Sequence, residues 1–228
     1  MFNRLKAALA MAALGSLLGV TVPRHAEAED ITIPLKGEYT KIDIRLATET
    51  MQALAKGTSE EKRKAIESVK ASPDRYAPPV FYLLSNVLFE DGKQEEAAFW
   101  FYAGQLRARF DANRCADISA REAVSVLNDQ YGPPINQFML QHRLVKLEEL
   151  IPQVVEWDRK TPHNYDHRWI NLHGMDAALA GLDVDGSDGK PEALSLPEKQ
   201  WGEIAEKTRR DYLADFREVL AQLKSQKK

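Results

Sequence analysis

The chain has 228 residues, of which 31 are basic, 34 are acidic and one is cysteine, so its formal charge is −3. A slightly acidic chain lacks the basic footprint that phosphate binding needs, which excludes nucleic acid as the expected partner. A single cysteine cannot form an intramolecular disulfide, so stability has to come from packing.

Residues 1–28 have the three regions of a signal peptide. The start is positively charged, residues 7–22 are apolar, and residues 26–28, Ala-Glu-Ala, form a small-x-small cleavage site. The apolar run is shorter than the about 20 residues that a membrane span needs, so we expect cleavage rather than anchoring. The sequence therefore predicts an exported chain, periplasmic in a Gram-negative source, with a mature charge of −5 and no membrane span after cleavage.

Residues 29–228 are predicted to form a single helical domain. Residues 30–35 alternate apolar and other side chains, which indicates a short extended arm. A helix is expected over residues 38–56, and Thr58 and Glu61 have the spacing of a capping box that begins the next helix.

The segment from Tyr76 to Phe110 is predicted to be a hairpin of two amphipathic helices. Asp91-Gly92 lies between them, and glycine supplies the positive φ that a helix stop commonly needs. Small residues on the second helix let the two backbones approach. The apolar positions that carry the pattern are Phe81, Leu84 and Leu88 on the first helix and Ala97, Phe101 and Gly104 on the second.

The order of these residues resembles the tetratricopeptide repeat over residues 78–111, and residues 96–103 resemble a Sel1-type repeat. The sequence departs from the family at Arg109, where the repeat usually has proline, and no second copy follows. The resemblance implies helical stacking, with a first helix that lines a peptide-binding groove. The residues on that side, which are the predicted partner-binding residues, are Tyr82, Asn86, Phe89 and Glu90.

An alternative interpretation of Tyr82 and Phe89 stays open. Aromatic residues at helical spacing are core residues by default, so both side chains could pack against the next helix instead of a partner.

The rest of the chain predicts further helices and one long loop. The fold class is therefore all-α, an irregular stack of antiparallel helical hairpins with a short extended N-terminal arm and a long C-terminal helix. The predicted elements are a break at residues 111–113, a helix capped at Ser119, a break at residues 132–134, helices over residues 135–150 and 166–179, an acidic loop over residues 181–194, and a final helix from a cap at Ser195 to Leu223.

Three histidines lie close together in the sequence. His163 and His167 are four residues apart, so on a continuous helix they would share a face and could hold Zn²⁺ with Asp166 or His173. Asn164 stands where a metalloprotease would have its catalytic glutamate. The alternative to metal binding is that these histidines make hydrogen bonds at the border of an apolar stripe.

The acidic loop presents Asp183, Asp185 and Asp188, which are the hard oxygen ligands that Ca²⁺ prefers. It departs from an EF-hand at Asp188, which replaces the required glycine, and at Leu194, which replaces the bidentate glutamate. A solvated turn is the alternative. We therefore expect no cofactor, with Ca²⁺ here or Zn²⁺ at the histidines as the alternatives.

Two smaller features of the sequence are also considered as functional sites. Arg107, Arg109, Arg114 and Arg121 are close in sequence and could form a patch for an acidic partner, although such charges are usually solvated. Cys115 is expected to be a small buried residue rather than a nucleophile.

These features predict a non-enzymatic, exported helical module that binds a protein or peptide. An immunity protein that neutralises a periplasmic toxin by direct binding, as in antibacterial toxin–antitoxin systems, would have the same export, charge and repeat-like hairpin. This step is an analogy, since fold alone does not determine function. The alternatives are a metal-dependent enzyme that uses His163, His167 and His173, and a cell-envelope scaffold.

Overall fold

The computed structural model describes residues 33–182 and 193–226. The predicted signal peptide and the acidic residues Asp183, Asp185 and Asp188 lie outside the described residues. Apart from short 3₁₀ turns, the described elements are α1 (Arg45–Lys56), α2 (Ser59–Ala71), α3 (Pro78–Glu90), α4 (Gln94–Arg114), α5 (Glu122–His142), α6 (Leu144–Lys160), α7 (Met175–Gly181) and α8 (Trp201–Gln226).

The prediction of an all-α fold is confirmed. The described residues contain no β-strand, and their only ladder-type contact is an isolated bridge between Cys115 and Ser195. None of the described helices combines the length and the apolar character needed to cross a bilayer. The finer prediction of repeat-like stacking stays a prediction.

α4 lies at the centre of the described structure. It contacts α3, α5, α6 and α8, and 15 of its 21 residues are buried. A helix with neighbours on most of its sides has little hydrated surface, which explains why its sequence has no marked amphipathic pattern. Charged residues on α4 therefore have to find partners inside the protein.

Local sequence determines the boundaries of the first helices. The Glu61 amide donates to Thr58 Oγ1 and the Thr58 amide donates to the Glu61 carboxylate, so the predicted capping box is confirmed. Gly92 has a φ of +78° and turns α3 back into α4, as predicted. Gly104 lets these two helices approach, because a Cβ atom there would lie 3.1 Å from Phe81 Cβ.

Two expected breaks fall inside continuous helices and are therefore wrong. Residues 111–113 belong to α4, and residues 132–134, which include two prolines, belong to α5. A Cβ atom at Gly132 would lie 3.0 Å from Phe101 Cζ, so this glycine serves the close packing of α5 on α4. The helix predicted over residues 135–150 is consequently divided between α5 and α6.

The predicted N-caps at Ser119 and Ser195 are also wrong. Ser119 Oγ accepts a hydrogen bond from the Met175 amide, and Ser195 Oγ lies 2.8 Å from His167 Nε2. These partners are 56 and 28 positions away in the chain, so both hydroxyls join distant segments. Both helices begin a few residues later than predicted.

The apolar interior consists of two clusters that meet at α3 and α4. One cluster lies among α1, α2 and α3, and the other extends from α4 to α5, α6 and α8. Trp157 packs against both clusters, with its ring 5.8 Å from Trp100 and 6.0 Å from Phe81. Cys115 is buried in the second cluster, in line with the expectation for a small core residue.

Candidate functional site

Tyr82, the first predicted partner-binding residue, lies in the core. Its side chain is fully buried, its hydroxyl donates to Asn128 Oδ1 at 2.8 Å, and its ring packs edge-on against Phe101. Burial raises the pKa of its hydroxyl above the ordinary value. Because α5 covers this side of α3, the expectation that Tyr82 faces a groove is wrong, and the alternative of packing against the next helix describes it.

The other three predicted residues do not form one surface with Tyr82. Phe89 is half-buried and packs edge-on against Phe138 of α5, with ring centroids 6.0 Å apart. Asn86 is half-buried and donates from Nδ2 to Glu90 Oε1 at 2.8 Å, while Glu90 is exposed. Of the predicted set, only Glu90 is exposed.

Glu90 lines a groove with a volume of about 730 Å³. The groove lies between α2 and the end of α3, where α2 packs on α1 and leaves its other side open. Ile66 and Val87 supply apolar surface in it. The remaining lining residues are Ser59, Lys62, Arg63, Glu67, Lys70, Ala71, Asp91 and Lys93.

The charges of this groove, which we name the α2–α3 groove, are of two kinds. Arg63 and Lys70 are already paired, Arg63 with Glu67 at 2.7 Å and Lys70 with Glu96. Lys62 and Lys93 form no ion pair within the described part of the chain. These two ammonium groups are therefore available to an anionic group of a bound molecule.

The three histidines that were candidates for a metal site have three different surroundings. His163 Nε2 lies 2.9 Å from Asp158 Oδ1, His167 Nε2 bonds Ser195 Oγ, and the His173 ring packs near Trp169. In residues 33–182 and 193–226, no group of three or more His, Cys, Asp or Glu side chains is arranged to hold a metal ion. The alternative of a shared Zn²⁺ site at His163 and His167 is thus not supported.

Asp166, the proposed additional ligand or base, is occupied by hydrogen bonds. Its carboxylate accepts from the Arg168 side chain at 2.7 and 2.9 Å and from the Asp43 amide at 2.9 Å. Burial raises the pKa of this carboxyl, but these bonds outweigh burial and the pKa is lowered overall. Asp166 therefore caps and orients the segment that follows α6, rather than serving as a base.

A buried charge cluster, which sequence analysis missed, joins α4 to α6 and α8. Arg107 is fully buried, with Nε 3.1 Å from Asp158 Oδ1 and Nη2 donating to the Thr161 carbonyl at 2.8 Å. Arg209 of α8 lies 2.8 Å from the other oxygen of Asp158. The Arg107 guanidinium also lies over the Trp157 ring, 4.6 Å from its centroid, which is a cation–π arrangement.

Asp158 is the shared anion of this cluster. Burial raises the pKa of its carboxyl, but the hydrogen bond with His163 and the charges of Arg107 and Arg209 outweigh burial and hold the pKa at about 2. His163 Nδ1 is buried with no hydrogen-bond partner among the described residues.

A second part of the cluster lies one turn further along α4. Asp111 accepts from Arg114 Nη2 at 2.6 Å, from the Tyr165 hydroxyl at 3.0 Å and from Trp169 Nε1 at 2.8 Å. Arg114 lies over the Trp201 ring, 4.7 Å from its centroid. The predicted arginine patch is thus wrong for Arg107 and Arg114, because both are buried and neutralised inside the fold.

These contacts assign a structural role to the cluster. Every carboxylate oxygen of Asp111 and Asp158 accepts a hydrogen bond from a side chain of another element or turn of the fold. The α2–α3 groove, by contrast, has unpaired cations, and its walls face solvent.

Comparison with known proteins found no match, whether with a family model, a curated protein or a solved structure. The groove is therefore the candidate functional site on structural grounds alone.

Proposed function

We propose that this chain is an exported helical protein that binds a segment of another protein in the α2–α3 groove. The observation that carries the proposal is an open groove of about 730 Å³ with Ile66 and Val87 inside it and unpaired Lys62 and Lys93 on its walls. Apolar surface combined with a few polar groups is the general composition of recognition sites.

The shape of the site favours a protein segment over an enclosed small molecule. Most of its lining side chains, on α2 and in the turn after α3, are exposed, so a ligand would stay partly in solvent. An amphipathic helix or an extended segment can place apolar side chains between two helices in this way. An acidic residue on that segment would pair with Lys62 or Lys93.

The biological role that we propose is immunity against an exported toxin. Its support is the predicted signal peptide, the acidic mature charge of −5 and the resemblance of residues 78–111 to a peptide-binding repeat. A toxin that is active in the periplasm can be neutralised by direct binding only if the immunity protein is in the same compartment. A scaffold of the cell envelope remains the alternative role for the same binding site.

The groove is tested by the double variant Lys62→Glu/Lys93→Glu, made in the full-length protein. Its affinity for a partner purified with the wild type should fall by roughly tenfold or more, because both free cations are reversed. Lys64→Glu is the matched control, since Lys64 is an exposed lysine of α2 that pairs with Glu60 outside the groove. Equal affinity of the wild type and the double variant would exclude the groove as the binding site.

Immunity is tested separately in the source organism. A strain without this gene should be inhibited in mixed culture by its parent, and a plasmid copy should restore growth. A plasmid copy without residues 1–28 should not restore growth, because the protein would remain in the wrong compartment. Normal growth of the deletion strain beside its parent would exclude the immunity role and leave the binding proposal intact.

A further inference from the structure

Residues 194–196 form a short strap across the C-terminal end of α4, which we name the 194–196 strap. The Ala116 amide donates to the Leu194 carbonyl at 3.1 Å, and the Leu196 amide donates to the Arg114 carbonyl at 2.8 Å. An antiparallel pairing this short is at best marginally stable by itself. Side-chain contacts therefore have to contribute to holding the strap against α4.

Residues 167–171 hold the strap from its other side. His167 Nε2 lies 2.8 Å from Ser195 Oγ, and Asn171 Nδ2 donates to the Leu194 carbonyl at 2.8 Å. Asn171 is buried and His167 is half-buried. The strap is thus held between the end of α4 and residues 167–171, and its contacts with the second segment depend on side chains.

The strap leads directly into α8, which begins at Trp201. Trp201 Nε1 donates to the Leu196 carbonyl at 2.8 Å, so the first turn of α8 is bonded to the strap. The Trp201 ring also packs edge-on against the His167 ring, with centroids 4.7 Å apart. A change at His167 therefore acts on the strap through Ser195 and on the start of α8 through Trp201.

The charges that act on His167 already balance one another. Arg114 and Asp111 belong to α4 and are paired at 2.6 Å, and Arg168 and Asp166 flank His167 in sequence and are paired at 2.7 Å. A proton on His167 would add a positive charge without a partner to this half-buried set, which is unfavourable. In line with this geometry, burial, followed by the charge of Arg114, lowers the pKa of His167 to about 4.

Opening of the strap would relieve this cost. The strap and α8 bring uncharged groups to the His167 ring, the hydroxyl of Ser195 and the indole of Trp201. When these groups move away, water can reach the ring and solvate a charge, so the pKa returns towards its ordinary value of 6.5. The protonated ring therefore favours the open strap, and this preference grows as the pH falls below 6.5.

We propose that the 194–196 strap is an acid-sensitive latch, in which protonation of His167 releases the strap and the first turn of α8 while α3 and α4 stay folded. Segments that move in regulation are generally those that open at a lower free energy than the whole protein. Release uncovers the Trp201 ring and the end of α4 that the closed strap covers. The strap has no residue in common with the α2–α3 groove, so the proposal does not depend on binding there.

Hydrogen exchange of the full-length protein at pH 7 and pH 5, with each rate divided by the intrinsic rate at that pH, tests the latch. The corrected exchange of the Leu196 and Ala116 amides, which we name the strap amides, should rise by roughly twentyfold from pH 7 to pH 5. This factor follows from a pKa of 6.5 in the open form and of about 4 in the closed form. At pH 5 the amides of the buried residues Leu84 and Leu88 in α3 should still exchange roughly a hundredfold more slowly than the strap amides, because they need a larger opening.

Two histidine variants identify the responsible group. His167→Gln can still bond Ser195 but does not titrate, so the rise at the strap amides should shrink to less than about threefold. His173→Gln is the matched control, because burial also lowers the pKa of His173 while its ring packs near Trp169. This control should keep the twentyfold rise.

Ser195→Ala provides a second measurement that does not depend on a titration. It removes the hydroxyl that joins the strap to His167, so the strap amides should exchange roughly fivefold faster at pH 7, while Leu84 and Leu88 stay protected. Equal rises in the wild type and His167→Gln, or loss of the rise in His173→Gln, would overturn the proposal. Strap amides that exchange no faster than those of Leu84 and Leu88, or that show no rise between pH 7 and pH 5, would overturn it as well.

Discussion

Arg107 Nε lies 3.1 Å from Asp158 Oδ1, and this buried pair joins the middle of α4 to the C-terminal part of α6. Arg209 bonds the second oxygen of the same carboxylate, so this one side chain of α6 joins α4 and α8. Burial of these charges is tolerated because each has several partners.

The first prediction concerns this pair. Arg107→Met should lower the free energy of unfolding by roughly 3 kcal/mol, because it leaves the Asp158 carboxylate buried with fewer donors. Urea denaturation followed by circular dichroism measures the change. Arg63→Met, which removes exposed ion pairs with Glu60 and Glu67 on α2, should change the free energy of unfolding far less. A similar loss of unfolding free energy in both variants would contradict the view that burial determines how much an ion pair matters for stability.

The second prediction concerns acid stability. Burial, together with the positive charges of Arg114 and Arg168, lowers the pKa of His167 from an ordinary value of 6.5 to about 4. The negative charges of Asp111 and Asp166 act in the opposite direction but do not outweigh burial. The unfolded chain therefore binds more protons between pH 6.5 and 4, so the free energy of unfolding should fall as pH is lowered through this range. The loss should be on the order of 2 kcal/mol.

His167→Gln supplies the control for the pH dependence, because glutamine can bond Ser195 without titrating. Unfolding of both proteins in urea at several pH values from 7 to 4.5 measures the difference. The variant should lose less stability on acidification than the wild type. Part of the slope should remain, because burial also lowers the pKa of His173. Identical slopes would mean that His167 is not the responsible group.

The third prediction compares two glycines in helices. Gly104→Ala should destabilise the protein by about 1 kcal/mol, because its Cβ would lie 3.1 Å from Phe81 Cβ and 3.2 Å from Tyr82 Cδ2. Gly202→Ala should raise the stability by a few tenths of a kcal/mol, since nothing lies within 4 Å and alanine favours the helix. Thermal unfolding of the two variants should therefore shift in opposite directions, and a shift in the same direction would contradict the packing argument.

The fourth prediction separates core from surface on α3. Tyr82→Phe removes the hydroxyl that bonds Asn128 and should lower the free energy of unfolding by about 1 kcal/mol. Its affinity for the groove partner should not change, because the side chain is buried. Denaturation and a binding titration on the same preparation test both parts. Weaker binding at unchanged stability would show that Tyr82 reaches the partner.

The fifth prediction concerns the single cysteine. Cys115 is buried, and burial raises the pKa of its thiol to about 11, so little thiolate is present at neutral pH. A maleimide should react with the native protein far more slowly than with the protein in urea. Reaction at equal rates in both conditions would contradict the buried position of the thiol.

Sequence patterns were sufficient to predict a structural element wherever the contacts that determine it lie within a few residues of each other. Thr58 and Glu61 are three residues apart, and Gly92 needs only its own φ, so the capping box and the hairpin turn could be predicted. Ser119 and Ser195 have the same local pattern, but distant donors use their hydroxyls. A cap motif cannot reveal a competing partner that is far along the chain.

The buried charge cluster could not be predicted from the sequence, for a related reason. Arg107 and Arg114 have the appearance of exposed helix charges, because their sequence neighbours include other charged residues. Asp158, the partner of Arg107, is 51 positions away along the chain. Arg114 has a local partner in Asp111, but the Trp201 ring that covers it belongs to α8. Only the packing of α6 and α8 around α4 makes these arginines internal.

The central position of α4 has a consequence for the order in which the protein assembles. Synthesis proceeds from the N-terminus, so α3 and α4 leave the ribosome as a pair long before α8 exists. Until α8 arrives, the side of α4 that carries Asn113 and Gln105 has no Thr208 or Tyr212 to bond. α8 therefore completes the packing of α4, and a product that stops before Trp201 would expose surface of α4 that α8 buries.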